Sequence, residues 1–215
     1  MNDDDRVDPR MRLPAGDLAA ITKHGIVRDF RARTMLVTEG EETNALYIIL
    51  EGRVRAYVSD ANGREAVLSI MGPGEYFGEV AFDEGPRSAS VITLEPCRLL
   101  VVPRSEFAQF LESHPAFAHH FINKLIGRIR VLTENVRSLS LMDAYGRVAR
   151  LLLESAITKD GVQFIPEKLT QAEIASRVGC SREMVSRIFK DLVQGNYIAV
   201  EPDRIVINRK PPAHW

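Results

Sequence analysis

The stretch Pro115–Leu141 constrains the fold of this chain more than any other. Its apolar residues recur in alternating steps of four and three positions: Ala118, Ile122, Leu125, Ile129, Leu132, Val136 and Leu139. This spacing is the a/d repeat of a coiled-coil seam and predicts one long helix with a narrow apolar face. Such a helix needs a partner, because the seam would otherwise face water.

Two kinds of partner would satisfy this helix, and the sequence leaves both open. The residues beside the seam are polar or charged: Lys124, Arg128, Arg130, Glu134, Asn135 and Arg137. The helix is therefore expected to be buried along its seam alone. This favours a parallel pair of two copies of the chain, joined through Ile122, Leu125, Ile129, Leu132, Val136 and Leu139. The alternative is a core helix packed on its own domain.

A parallel pair would bring together side chains of the two copies. With Ile122, Ile129 and Val136 at the a positions, Arg128 falls at g and Thr133 at e. Position g of one helix faces position e of the next heptad on the other helix. Arg128 of one chain and Thr133 of the partner subunit are therefore predicted to contact one small molecule from both sides.

The composition excludes several classes of protein. With 28 Lys and Arg against 29 Asp and Glu, the net charge does not indicate a nucleic-acid partner. The two cysteines, Cys97 and Cys180, lie far apart without CxxC spacing, so neither a disulfide framework nor a metal site is predicted. The N-terminus has no apolar h-region, and no apolar run is long enough to span a membrane. We therefore predict a cytoplasmic protein with no membrane partner.

Between Phe30 and Val102 the sequence alternates short β-type runs with turn residues. The runs are 35–37, 45–50, 54–58, 66–70, 90–93 and 98–102. Asn62 and Gly63 separate two of these runs and predict a hairpin, because both tolerate positive φ. Many short strands at regular spacing predict a barrel or jelly roll. Farther along, Asp143 is the predicted N-cap of a helix over 143–157.

Residues 169–190 read LTQAEIASRVGCSREMVSRIFK and predict a helix-turn-helix. Thr170 is the expected N-cap of a first helix that turns its apolar residues inward. Gly179 occupies the tight turn, where positive φ costs glycine least. Ser181 then caps a second helix that carries Met184, Val185, Ile188 and Leu192 on its inner face.

The outer face of this second helix carries Arg182, Glu183, Ser186, Arg187 and Lys190. The N-terminal side chains of a recognition helix reach base edges in the major groove. There an arginine suits the O6/N7 pair of guanine, and a glutamate accepts from the N4 amino group of cytosine. Two later runs, 197–200 and 204–207, predict the wing of a winged helix. The alternative is a helical hairpin with a solvated charged face.

A second candidate site lies in residues 72–91, GPGEYFGEVAFDEGPRSASV, where Gly78 and Glu79 are followed by Arg87 and Ser88. A turn at Gly78 lets backbone N–H groups point at an anion. Arg87 can donate two hydrogen bonds to a phosphate, and Ser88 adds a hydroxyl donor. Glu79 suits a ribose hydroxyl. From these residues alone, a surface salt bridge between Glu79 and Arg87 is an equal alternative.

Together these features resemble the cyclic AMP receptor protein (CRP/FNR) family of bacterial transcription regulators. FGEVAFDEGPRSA is similar to the family's phosphate-binding cassette, and VGCSREMVSRIFKDL is similar to its recognition helix. The resemblance implies an α+β chain in three parts. These are an N-terminal tail and cyclic-nucleotide-binding β-roll (a jelly roll) over 1–114, a dimerisation helix over 115–141, and a C-terminal winged helix-turn-helix over 142–215.

The resemblance also implies roles for individual residues. Those that would hold the nucleotide are Gly78, Glu79, Arg87 and Ser88 at the ribose and cyclic phosphate, with Arg128 and Thr133 nearby. Those that would meet DNA are Arg182, Glu183 and Arg187 at the bases and Thr170, Gln171 and Ser181 at phosphates. The DNA site would be two-fold symmetric, with half-sites similar to TGTGA. The implied partners are a second copy of the chain, double-stranded DNA and RNA polymerase.

The resemblance favours cyclic AMP as the effector. However, the cyclic AMP sensor of the family has a threonine-serine pair against the adenine, where this chain has Leu132 and Thr133. Because leucine cannot hydrogen-bond a base, cyclic di-GMP remains an alternative, and so does a ligand-independent regulator whose β-roll docks a protein. An enzyme is not predicted, because the sequence shows no nucleophile with a base and orienting group, no metal spacing and no P-loop.

Overall fold

The computed structural model describes residues 13–42, 44–79, 85–166 and 169–212. The chain divides into two compact units, at Val131 and Leu132. This division falls within the long helix. The domain bounds 1–114, 115–141 and 142–215 stay predictions.

The N-terminal unit contains two four-stranded antiparallel sheets. Its strands are β1 (Ile26–Phe30), β2 (Met35–Val37), β3 (Ala45–Glu51), β4 (Val54–Ser59), β5 (Glu65–Met71), β6 (Tyr76–Phe77), β7 (Ser90–Thr93) and β8 (Cys97–Pro103). One sheet has the order β1-β8-β3-β6 and the other β2-β7-β4-β5. The predicted jelly roll is confirmed. The sequence analysis missed β1, whose residues are mostly exposed, and β6, which is too short to show a period.

The predicted hairpin joins β4 to β5. Asp60 accepts hydrogen bonds from the backbone N–H groups of Asn62 and Arg64, both at 2.9 Å. Gly63 has φ +75°, a conformation that glycine adopts without steric cost. The hairpin prediction is therefore confirmed, with Asp60 as an additional stabilising residue.

The N-terminal unit has apolar clusters on both faces of the sheet that contains β3 and β8. The cluster between the two sheets includes Val37, Ile49, Val54, Met71, Phe77, Val91 and Leu99. The second cluster lies under helices α1 (Ala15–Ile21) and α2 (Arg104–Ser113) and includes Ile21, Leu46, Ile48, Phe107 and Phe110. Tyr76 of β6 also belongs to this second cluster.

The long helix is confirmed as α3 (Pro115–Leu141). Its first half packs on the second cluster: the Phe117 ring lies 5.0 Å from that of Phe110, and the Phe121 ring stacks on Tyr76 at 5.6 Å. The expectation that the helix is buried along its seam alone is wrong here, because Lys124 is only 4% exposed. Phe117, Phe121, Lys124 and Arg128 recur at steps of four, three and four and form a second face.

The C-terminal unit continues with α4 (Ala144–Ser155), α5 (Gln171–Val178) and α6 (Arg182–Gln194). Asp143 caps α4 as predicted, accepting from the Gly146 N–H at 2.7 Å, and the helix ends two residues earlier than expected. Four strands form an antiparallel sheet in the order β11-β12-β10-β9: β9 (Ile157–Lys159), β10 (Val162–Ile165), β11 (Ile198–Val200) and β12 (Ile205–Ile207). The β11-β12 hairpin is the predicted wing, whereas the sequence analysis missed the short β9-β10 hairpin.

Candidate functional site

Gly78 follows β6 directly and has φ +96°. A Cβ atom at this position would lie 2.7 Å from the main-chain oxygen of Ala45 and 2.9 Å from Nη1 of Arg87. Both the backbone conformation and the close approach therefore require glycine. The predicted turn at Gly78 exists, and it brings the backbone directly against the arginine of the candidate site.

Arg87 is buried, with only 4% of the residue exposed. Its Nη1 and Nη2 donate to the main-chain oxygens of Gly78 and Ala45, each at 2.7 Å. Burial lowers the pKa of the guanidinium, while Tyr47 and Glu79 raise it. An arginine stays protonated under such conditions, so the site holds a fixed positive charge. This arginine therefore stabilises the turn as well as offering donors to an anion.

Glu79 forms an ion pair with Arg128 of α3. Its other carboxylate oxygen, Oε2, is buried and has no hydrogen-bond partner among the described residues. Burying an acceptor without a donor is unfavourable, so this oxygen is a candidate acceptor for a ligand hydroxyl. The sequence analysis did not consider Arg128 as the partner of Glu79; the charge of Glu79 also raises the pKa of Arg87.

The structure brings four of the six candidate ligand residues together: Gly78, Glu79, Arg87 and Arg128. Ser88 is exposed to solvent next to Arg87 in sequence, and Thr133 is exposed on α3. Thr133 belongs to the C-terminal unit. The middle of the sequence cassette, residues 80–84, lies outside the described residues.

The helix-turn-helix has the predicted local geometry. Thr170 caps α5 in a capping box, accepting from the Glu173 N–H at 3.2 Å while Glu173 accepts from the Thr170 N–H at 2.7 Å. Gly179 has φ +66° in the turn, and Ser181 caps α6 by accepting from the Met184 N–H at 3.2 Å. The sequence analysis missed the role of Glu173, although threonine followed three residues later by glutamate is a readable signal.

The two faces of α6 separate as predicted, with one exception. All of the residues predicted to face outward are exposed: Arg182, Glu183, Ser186, Arg187 and Lys190. Val185, Ile188 and Leu192 are buried, but Met184 is 37% exposed and Phe189 is buried instead. At 100° per residue, position 184 falls at the edge of the apolar stripe, so its assignment to the inner face was wrong. The backbone N–H and Ser181 lower the pKa of Glu183, which keeps it an ionised acceptor at neutral pH.

Comparison with known proteins assigns both units to one family. A cyclic nucleotide-binding domain matches residues 27–114, and a Crp-like helix-turn-helix domain matches residues 146–211. The chain is 34% identical over 196 residues to the CRP-like cAMP-activated global transcriptional regulator of Mycobacterium tuberculosis, covering 89% of this chain and 88% of that protein. The chain belongs to the CRP/FNR family of transcription regulators. The family is one of regulators rather than enzymes.

Other members of the CRP/FNR family agree with this assignment. The cAMP-activated global transcriptional regulator CRP of Escherichia coli is 33% identical over 192 residues, covering 86% of this chain and 90% of that protein. CLP, the c-di-GMP-responsive global regulator of Xanthomonas campestris, superposes with a TM-score of 0.80 at 23% identity, covering 91% of this chain and all of that chain. The CLP comparison shows a shared fold. In the part of the chain that the structure describes, no helix is long and apolar enough to cross a bilayer.

This CRP-family regulator contains two basic residues whose positions the sequence analysis missed. Lys124 is buried on α3. The sequence signal for its burial was Phe117 and Phe121, two turns and one turn earlier on the same face of the helix. Arg147 of α4 donates to the main-chain oxygens of Met142 at 2.8 Å and Val178 at 2.7 Å. It therefore connects Met142, between α3 and α4, with the end of α5, and the sequence offers no signal for this contact.

Proposed function

We propose that this CRP-family regulator is a homodimeric transcription factor whose DNA binding is gated by cyclic AMP. The observation that carries the proposal is the buried Oε2 of Glu79, which has no hydrogen-bond partner in the described part of the chain and whose carboxylate interacts electrostatically with the fixed charge of Arg87. An acceptor and a cation held side by side suit a ribose hydroxyl next to a phosphodiester. The cyclic nucleotide-binding domain assigned to residues 27–114 supports the same ligand class.

In the proposed complex, different residues bind the ribose and the cyclic phosphate. The ribose hydroxyl donates to Glu79, and the cyclic phosphate accepts from Arg87, Ser88 and the backbone beside Gly78. Arg128 holds Glu79 in place. Cyclic AMP is the preferred effector because relatives 33–34% identical to this chain are cAMP-activated, whereas the likeness to CLP is one of fold.

The homodimer is proposed from the exposed seam of α3. Five of its six residues are large apolar side chains between 47% and 63% exposed: Ile122, Ile129, Leu132, Val136 and Leu139. A contiguous apolar stripe of this length is unfavourable in water, and a second copy offers a matching stripe. In a parallel pair, Thr133 of the partner subunit would approach the nucleotide next to Arg128.

The DNA complex follows from the dimer. Arg182, Glu183 and Arg187 read base edges, and Thr170, Gln171 and Ser181 hold phosphates. Two copies present two recognition helices about 34 Å apart, which fits a two-fold symmetric operator with half-sites similar to TGTGA. RNA polymerase is the proposed recipient of the signal. Cyclic AMP would act by binding one arrangement of the dimer more tightly than the other.

Calorimetric titration with cyclic AMP, cyclic GMP and cyclic di-GMP tests the effector. We expect cyclic AMP to bind and Glu79→Gln to weaken it about tenfold to hundredfold, because the charge-assisted hydrogen bond to the ribose is lost. Glu51→Gln, at an exposed position on β3, is the control and should bind like the wild type. Tighter binding of cyclic di-GMP would show that cyclic di-GMP, and not cyclic AMP, is the effector. Failure of all three nucleotides with DNA binding intact would favour a ligand-independent regulator.

A second prediction concerns base recognition by Glu183. We expect Glu183→Ala to relax the choice at one base pair of each half-site, with preference at that position reduced about tenfold to hundredfold. Binding to a library of operator variants, read by sequencing, measures this preference. Lys190→Ala, on the same exposed face but farther from the helix N-terminus, should weaken binding to all sequences equally. An unchanged preference in Glu183→Ala would contradict direct recognition.

A further inference from the structure

Lys124 lies on the face of α3 that packs on the N-terminal sheet, and the proposed function gives it no role. Its ammonium group donates to the main-chain oxygen of Tyr76 at 3.1 Å and lies 3.2 Å from the centre of the Tyr76 ring. Both residues are buried. A buried ammonium group is unfavourable unless hydrogen bonds and opposite charges compensate for the loss of water.

The surrounding charges come from the residues on either side of β6 and from α3. Burial lowers the pKa of Lys124 to about 7, against the carboxylates of Glu75 and Glu79, which raise it, and Arg128 lowers it further. Burial raises the pKa of the Tyr76 phenol far above neutrality, so this group does not titrate nearby. Burial also lowers the pKa of His120, as does Lys124, while Asp17 raises it. His120 is thus a second titratable group on this helix face, with a pKa below its ordinary value.

Lys124 and Arg128 are four residues apart and therefore project from the same face of α3. Lys124 reaches the main-chain oxygen of Tyr76, and Arg128 reaches the carboxylate of Glu79, three residues farther along the same segment. Together these two contacts hold α3 at one rotation and one distance from residues 76–79. Losing the Lys124–Tyr76 hydrogen bond would let the Arg128–Glu79 ion pair shift.

We propose that Lys124 is a positioning residue that holds Arg128 against Glu79, and that its positive charge thereby sets the affinity of the site for a cyclic nucleotide. The inference rests on the proposed function of that site. The charged form of Lys124 holds the helix through Tyr76 and balances two carboxylates beside an anion-binding site. The neutral amine donates a weaker hydrogen bond to Tyr76, because the bond is no longer charge-assisted, and it leaves Glu75 and Glu79 less compensated.

The direction of the pH effect follows from the titration of Lys124. Below its pKa the ammonium form predominates and the site favours an anion. As the pH rises through about 7, Lys124 loses its proton and the affinity for an anionic nucleotide falls. The phosphodiester of cyclic AMP keeps one negative charge over this range, so the ligand adds no titration of its own.

The experiment is calorimetric titration of the full-length protein with cyclic AMP from about pH 6 to about pH 8.5. We expect wild-type affinity to fall about tenfold across this range. Lys124→Met should bind weakly at every pH with no slope, whereas Lys124→Arg should keep a permanent charge and remove the slope with affinity retained. His120→Gln removes the second titrating group on the same face and should leave the slope unchanged.

Three outcomes overturn the inference. A wild-type profile without slope would exclude a change in the Lys124 charge as a control on affinity over this pH range. A slope that persists in Lys124→Met, or that disappears in His120→Gln, would assign the titration to another group. If cyclic AMP fails to bind at any pH, the proposed function fails and the inference falls with it. Binding without slope is a different result from absence of binding, so failure of this inference can be told apart from failure of the proposed function. The wild-type profile gives this distinction even if a variant does not fold.

Discussion

Arg87→Ala is expected to abolish nucleotide binding and to destabilise the N-terminal unit at the same time. The guanidinium donates to the main-chain oxygens of Gly78 and Ala45, so its removal leaves two acceptors without donors in a buried turn. At about 1–3 kcal/mol for each of these two acceptors, the free energy of unfolding should fall by about 2–6 kcal/mol. Losing charge-assisted bonds to the phosphate should weaken cyclic AMP binding about 100-fold or more.

Two measurements separate these effects. Denaturant unfolding gives the stability, and calorimetry at a temperature where the variant remains folded gives the affinity. Arg98→Ala removes an arginine from an exposed position on β8 and should change neither quantity by much. Arg87→Lys keeps the charge but cannot reach both carbonyl groups with a planar fork, so it should recover part of the affinity and little of the stability. Wild-type affinity in Arg87→Ala would contradict the site assignment.

Introducing glutamate at two seam positions is expected to convert the protein to a monomer that no longer binds its operator. Ile129 and Val136 are 62% and 63% exposed in the single chain, so Ile129→Glu with Val136→Glu should leave each chain folded. In a parallel pair the same substitutions would place four carboxylates in an apolar seam, where their desolvation and mutual repulsion oppose association. Because two half-sites must be bound together, affinity for the operator should fall by orders of magnitude.

Sedimentation velocity measures the oligomeric state, and fluorescence anisotropy with an operator duplex measures DNA binding. Arg130→Glu is the matched control, because Arg130 lies next to Ile129 on α3 but outside the seam and is exposed. This control should remain a dimer. A dimeric double variant would show that the copies associate through another surface, and a monomeric wild type would contradict the homodimer itself.

Local signals in the sequence predicted the caps and turns of this protein. Asp143, Thr170 and Ser181 each cap the helix that they were expected to cap, and Gly179 has the positive φ that its turn required. These features depend on residues within one helical turn of each other, so the sequence alone carries the necessary information. The same is true of the hairpin at Asn62 and Gly63. Met184 was misassigned because a residue at the edge of an apolar stripe faces inward or outward according to its neighbours.

The candidate site was predicted only in part, for a physical reason that Glu79 illustrates. The sequence identified Glu79 and Arg87 as chemically suited to a nucleotide but left a salt bridge between them as an equal alternative. The choice of Arg128 as the hydrogen-bonded partner of Glu79 depends on the packing of α3 against the sheet, 49 residues farther along the chain. The burial of Arg87 against Ala45 likewise depends on contacts between distant strands.

The fold class, the long helix, the helix-turn-helix and the residues that could meet a nucleotide or DNA were predicted from the sequence. These follow from periodicity, from capping residues and from motifs that act over a few residues. The packing of distant segments settles which charges surround Lys124, that Arg128 is the partner of Glu79, and that Oε2 of Glu79 has no hydrogen-bond partner among the described residues. Burial and charge balance depend on which distant segments pack together, and no local pattern contains that information.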